Sequence, residues 1–99
     1  MTMREENFGI AAFRSRQQVL ALTSALHRAG VRASVVTTPR DVALGCGLSV
    51  RFEMGDAAAV REVYQQAHPG NLIGFYRVSQ GTDGRTAVSP LPVEHMPRW

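Results

Sequence analysis

The chain offers one sulfur nucleophile, and its neighbours define what that sulfur can do. Cys46 stands between Gly45 and Gly47, downstream of the run Thr38-Pro39-Arg40. Glycines lack a Cβ, so they let a partner approach closely and let backbone amides point inward as a small anion nest. Pro39 sets the entry of the loop, and the Arg40 guanidinium can fork onto an anion in a way lysine does less well. A single cysteine cannot close an internal disulfide, so Cys46 reads as a buried hydrophobe, a metal ligand or a reactive thiol. The metal reading fails on spacing. His27, His68 and His95 are far apart and there is no second cysteine, so no zinc pattern assembles within one chain. Asp41 and Glu53 are the only acids near the loop and are not paired, which leaves a stand-alone enzyme without an acid/base constellation. No cofactor is called for.

The elements that must hold this loop can be read from periodicity. Residues 7–13 alternate Phe8/Ile10/Ala12 with Gly9/Ala11/Phe13, as in a strand covered on both faces. Ser15-Arg16-Gln17-Gln18 matches a capping box, with the Ser15 hydroxyl on the Gln18 amide. The helix it opens runs over about 16–29, with Val19, Leu22, Leu26 and Ala29 as its stripe and Gly30 as its left-handed cap. A second strand is predicted at 31–37, ended by Pro39, and a third at 48–53, where Leu48/Val50/Phe52 alternate with Ser49/Arg51/Glu53. Asp56 is the expected cap of a second helix, whose stripe is Val60, Val63, Tyr64 and Ala67 and which stops at His68-Pro69-Gly70. A fourth strand covers 72–78.

The order βαββαβ, with right-handed crossovers, predicts an α+β ferredoxin-like plait: a four-stranded antiparallel sheet with two helices on one face. The domain is expected over 7–79. Residues 80–99, with Gly81, Gly84, Pro90, Pro92 and Pro97, read as an extended tail. In this topology the end of strand one, the start of helix one and the whole 38–47 loop share one edge of the sheet. Cys46 is then expected near Arg14, Ser15 and Arg16, where guanidinium groups and unpaired helix amides favour a thiolate. Taken alone, Arg14, Arg16, Arg40 and Arg51 read first as solvated surface charges, with Arg40 the exception assigned to the loop. His68 falls on the same edge, as a general acid or base or as a histidine favoured by the helix C-terminus. Ser15 is first a cap, and a donor to a bound anion only if it is not capping.

The combination Phe13-Arg14-Ser15, Leu26, Gly30-Val31, Thr38-Pro39-Arg40, Cys46-Gly47 and Arg51-Phe52, at these separations, resembles a family of small bacterial selenium/sulfur carrier-like proteins. The resemblance covers roughly residues 8–78, and its most specific part is the run from Gly30 to Gly47. It implies that Cys46 holds a terminal sulfur or selenium as a persulfide or selenylsulfide, received from a donor protein and passed to an acceptor. Arg40 and Arg14 would stabilise the anion, and Pro39, Gly45 and Gly47 would shape the loop. One departure is Val42-Ala43-Leu44-Gly45, where members more often carry small polar residues.

Composition sets the outer limits. Eleven basic residues, all arginine, against eight acids give a formal charge of only +3, too small and too scattered for the basic stripe of a nucleic-acid binder. Plait domains that read RNA carry stacking rings on strands one and three. Here the outward face of strand three has either Ser49/Arg51 or Leu48/Val50/Phe52, without that pair of rings. No apolar run is long enough to span a bilayer, and the N-terminus has acids where an export signal needs a basic flank, so the expected compartment is the cytoplasm. The alternative to a carrier is a small binding or regulatory module that works through its sheet face, self-association included, with Cys46 structural. An exposed Leu48/Val50/Phe52 patch would favour it.

Overall fold

A computed structural model describes residues 6–39, 42, 47–67, 72–81 and 86–91. The element order is β1 (Glu6–Phe13), α1 (Arg16–Arg28), β2 (Ser34–Thr37), β3 (Leu48–Glu53), a 3-10 turn (Met54–Asp56), α2 (Ala57–Ala67), β4 (Leu72–Gln80) and β5 (Thr86–Pro90). The sheet order is β2-β3-β1-β4-β5, antiparallel at every pairing. Four of these strands and the two helices make the expected ferredoxin-like plait. The fifth strand is additional: part of the stretch read as an extended tail lies along β4, with Val78 opposite Val88.

Pairing register assigns each residue to a face. Gly9 meets Phe52 and Ala11 meets Val50 on the helix side, whereas Ile10 meets Arg51 and Ala12 meets Ser49 on the other. The helix-side core joins Ala11, Phe13, Val50, Phe52 and Phe75 to Val19, Leu22 and Leu26 of α1 and to Ala57 and Val60 of α2. Phe75 stands edge-on to both Phe52 and Tyr64, with ring centroids 6.2 and 5.3 Å away, the arrangement in which a ring edge meets a π face. The expectation that both faces of β1 are covered holds. Phe8, Ile10 and Ala12 are buried in a second cluster with Val42 and Val78 on the face away from the helices.

Several local expectations are corrected. The Ser15 side chain makes no cap hydrogen bond. Instead the Ser15 carbonyl accepts from the amides of Gln18 (3.1 Å) and Val19 (3.3 Å), so main chain alone closes the first turn. Asp56, the expected cap of the second helix, is the last residue of the 3-10 turn and immediately precedes α2. β2 begins at Ser34 rather than at residue 31, because the Val31 amide donates to Leu26 O at 2.9 Å in the helix-ending motif around Gly30, whose φ is 79°. β4 extends to Gln80 because β1 pairs with it out to Glu6. The idea of an exposed Leu48/Val50/Phe52 docking patch is overturned: Val50 and Phe52 are buried and Leu48 is half-buried against the helix-side core.

Candidate functional site

β1 ends at Phe13, β2 ends at Thr37, β3 begins at Leu48 and β4 begins at Leu72, and the register brings all four points to one edge of the sheet. The topology thereby gathers Arg14, Ser15, Arg16, Pro39 and Gly47 at that edge. Arg14 and Arg16 are exposed, Ser15 and Pro39 are half-buried and Gly47 is exposed. Ala12 pairs with Ser49, so Arg14 and Gly47 both leave the sheet two residues beyond the same pair. Cys46, Arg40, Gly45 and His68 lie outside the described residues.

The loop between β2 and β3 is closed at its base by two contacts. The Thr38 amide donates to Gly47 O at 2.9 Å, and the hydroxyls of Thr38 and Ser49 lie 2.7 Å apart, close enough for either to donate. Ser49 is fully buried, and pairing with Thr38 satisfies its hydroxyl away from water. The Val42 amide donates to Pro39 O at 3.0 Å. Val42 is 6% exposed and packs with Phe8, Ile10, Ala12 and Val78. Val42 therefore lies on the face of the sheet that the helices leave open.

Sequence reasoning missed this clasp and this anchor. Thr38 and Ser49 carry no signal by themselves, because nothing short of the register shows that they meet. Val42 had a signal only as part of the apolar run Val42-Ala43-Leu44, which does not say which face of the sheet it covers.

Gly47 has φ 86°, a left-handed conformation that costs a residue with a Cβ about 1–2 kcal/mol, and nothing lies within 4 Å of where a Cβ would stand. Conformation, not crowding, therefore demands glycine here. Gly47→Ala is expected to lower unfolding free energy in urea by about 1–2 kcal/mol. Gly55→Ala, at a position equally open and without positive φ, should change it by less than about 0.5 kcal/mol. Equal effects at the two positions would remove the conformational argument for Gly47.

With this geometry in place the comparison with known proteins is specific. Residues 8–76 match the family model described as "Putative Se/S carrier protein-like". The chain belongs to that family. The match spans most of the chain and takes in β1, the clasped loop, both helices and the first part of β4. No curated protein and no solved structure matches the chain. Membership in the Se/S carrier-like family assigns the coarse role of a carrier and not of a catalyst. Among the described residues of this carrier-like protein no group of three or more His, Cys, Asp or Glu could hold a metal ion, and no helix is long and apolar enough to cross a membrane.

Proposed function

We propose that this protein carries sulfur or selenium on Cys46, receiving it from a donor protein and yielding it to an acceptor. The observation that carries the reading is the family match over residues 8–76, which includes Cys46 and the segment around it. The clasped base of the 38–47 loop supports it, because a fixed entry at Pro39 and a left-handed exit at Gly47 hold the ends of the segment that bears the thiol. In loading, the Cys46 thiolate attacks the outer chalcogen of a donor persulfide, R–S–SH. The S–S bond of the donor breaks and the donor leaves as R–S⁻. Cys46 then holds S–SH, and no external oxidant or reductant is consumed. A donor of the form R–S–SeH loads selenium by the same exchange. In this reading Arg40 and Arg14 stabilise the terminal anion, Gly45 and Gly47 give the partner close access, and Ser15, Arg16 and His68 are assigned supporting roles. The half-buried Ser15 hydroxyl, free of a capping role, is available to donate to that anion.

The test is the intact mass of the protein after incubation with glutathione persulfide, with and without dithiothreitol. The wild type is expected to gain one reductant-labile sulfur and Cys46→Ser none. Absence of the adduct, together with labelling of Cys46 by a thiol reagent only after denaturation, would make the cysteine structural and return the protein to the class of small binding modules.

A further inference from the structure

The open face of the sheet, the side on which Val42 packs, holds a cavity of about 630 Å³, within the range of roughly 300–1,000 Å³ usual for small-molecule sites. Its walls include Val36, Pro39 and Phe8, with Ile10 and Val78 buried behind them. Arg51 supplies the charge. Its guanidinium carbon lies 3.9 Å from the centroid of the Phe8 ring, so the flat face of the cation is spent on the π system. Stacking leaves the N–H edge of a guanidinium available, and that edge has the geometry that grips a carboxylate with two parallel bonds. Among the described residues no carboxylate pairs with Arg51. Its strand neighbour on the same face, Glu53, is exposed and forms no ion pair with it. Gln80 lines the same cavity and adds a polar group at its rim.

We propose that this cavity binds a small organic carboxylate with an apolar body, the carboxylate held by the edge of Arg51 and the body lying against Val36, Pro39 and Phe8. The cation lies over the ring beneath it and faces a wall in which Phe8, Val36 and Pro39 stand beside Thr37, Thr38, Gln80 and Thr86, so it recognises an anion that brings its own hydrocarbon for the apolar part of that wall. A hydrophilic anion would leave that wall uncovered, and a neutral hydrocarbon would leave the guanidinium edge without an acceptor. The proposal does not invoke Cys46 and stands or falls independently of the carrier reading.

The experiment is an NMR titration of the full-length protein with octanoate, with octanol as the neutral comparator. Saturable octanoate binding is expected, with amide shifts centred on Phe8, Val36 and Arg51. Arg51→Met, which keeps the aliphatic stem, should weaken it by about tenfold or more, the usual scale of a charge-assisted hydrogen-bonded pair. Val36→Phe, which fills the cavity without touching the charge, should weaken octanoate and octanol together. Absence of saturable shifts on the wild type at millimolar octanoate would overturn the proposal. So would equal affinity for octanol, shifts centred elsewhere, or undiminished binding in Arg51→Met. Should Arg51→Met not fold, the wild-type shift map and Val36→Phe decide the matter.

Discussion

Phe13→Ala is expected to cost about 3–5 kcal/mol, the range for truncating a buried aromatic in a core that cannot fully collapse around the space. Phe13 has no exposed surface and belongs to the cluster that joins the sheet to Val19, Leu22 and Leu26 of α1 and to Val60 of α2. A domain of this size is stable by about 5–15 kcal/mol, so the loss would be a large fraction of the total. Urea unfolding followed by far-UV circular dichroism gives the value directly. The substitution should act on function only through folding, because Phe13 points to the core while the next residue, Arg14, is exposed at the candidate edge. Loading of Cys46 per folded molecule is therefore expected to survive. A cost below about 1 kcal/mol would mean that the helix-side cluster is not the main core.

The second large effect concerns Gly9. In the register Gly9 faces Phe52, and a Cβ built at Gly9 would overlap Cε2 and Cζ of that ring. The ring covers the glycine, which is how a strand tolerates a residue with no side chain to pack. Gly9→Ala is expected to destabilise by about 1–3 kcal/mol through overpacking. The lower chain entropy of alanine in the unfolded state, about 0.5–1 kcal/mol, offsets part of this. Because Phe52 is almost wholly buried, it has little freedom to swing away. Phe52→Leu shortens the offending group, so Gly9→Ala in that background should cost less than in the wild type. The expected coupling is about 0.5–3 kcal/mol in a double-mutant cycle. Strict additivity would show that the strand shifts as a body and that no side-chain overlap is involved.

Much of this architecture was legible in residue spacing. The helical stripe of Val19, Leu22 and Leu26 and the strict alternation over Leu48–Glu53 are local patterns, and each produced the element it predicts. Gly30 announced a left-handed helix end in the same way, since few other residues adopt that conformation without strain. β5 was not legible, because Thr86–Pro90 is mostly exposed and contains a proline. It is a strand because β4 offers it a partner.

By itself the sequence determined the ferredoxin-like order of elements, the shared edge to which Arg14, Pro39 and Gly47 come, and the family to which the chain belongs, since all three rest on identities and spacings along one dimension. Only the tertiary structure decided which side of each strand faces the helices. A period of two predicts two faces but does not say which is covered, and the choice depends on where α1 and α2 can bury their own stripes. From that choice follow the burial of Val50 and Phe52, the placing of Arg51 over Phe8 on the opposite face, the clasp of Thr38 with Ser49 and the seating of Val42 on the open face. These contacts join residues far apart in the chain, and register, which no local pattern encodes, is what brings them together.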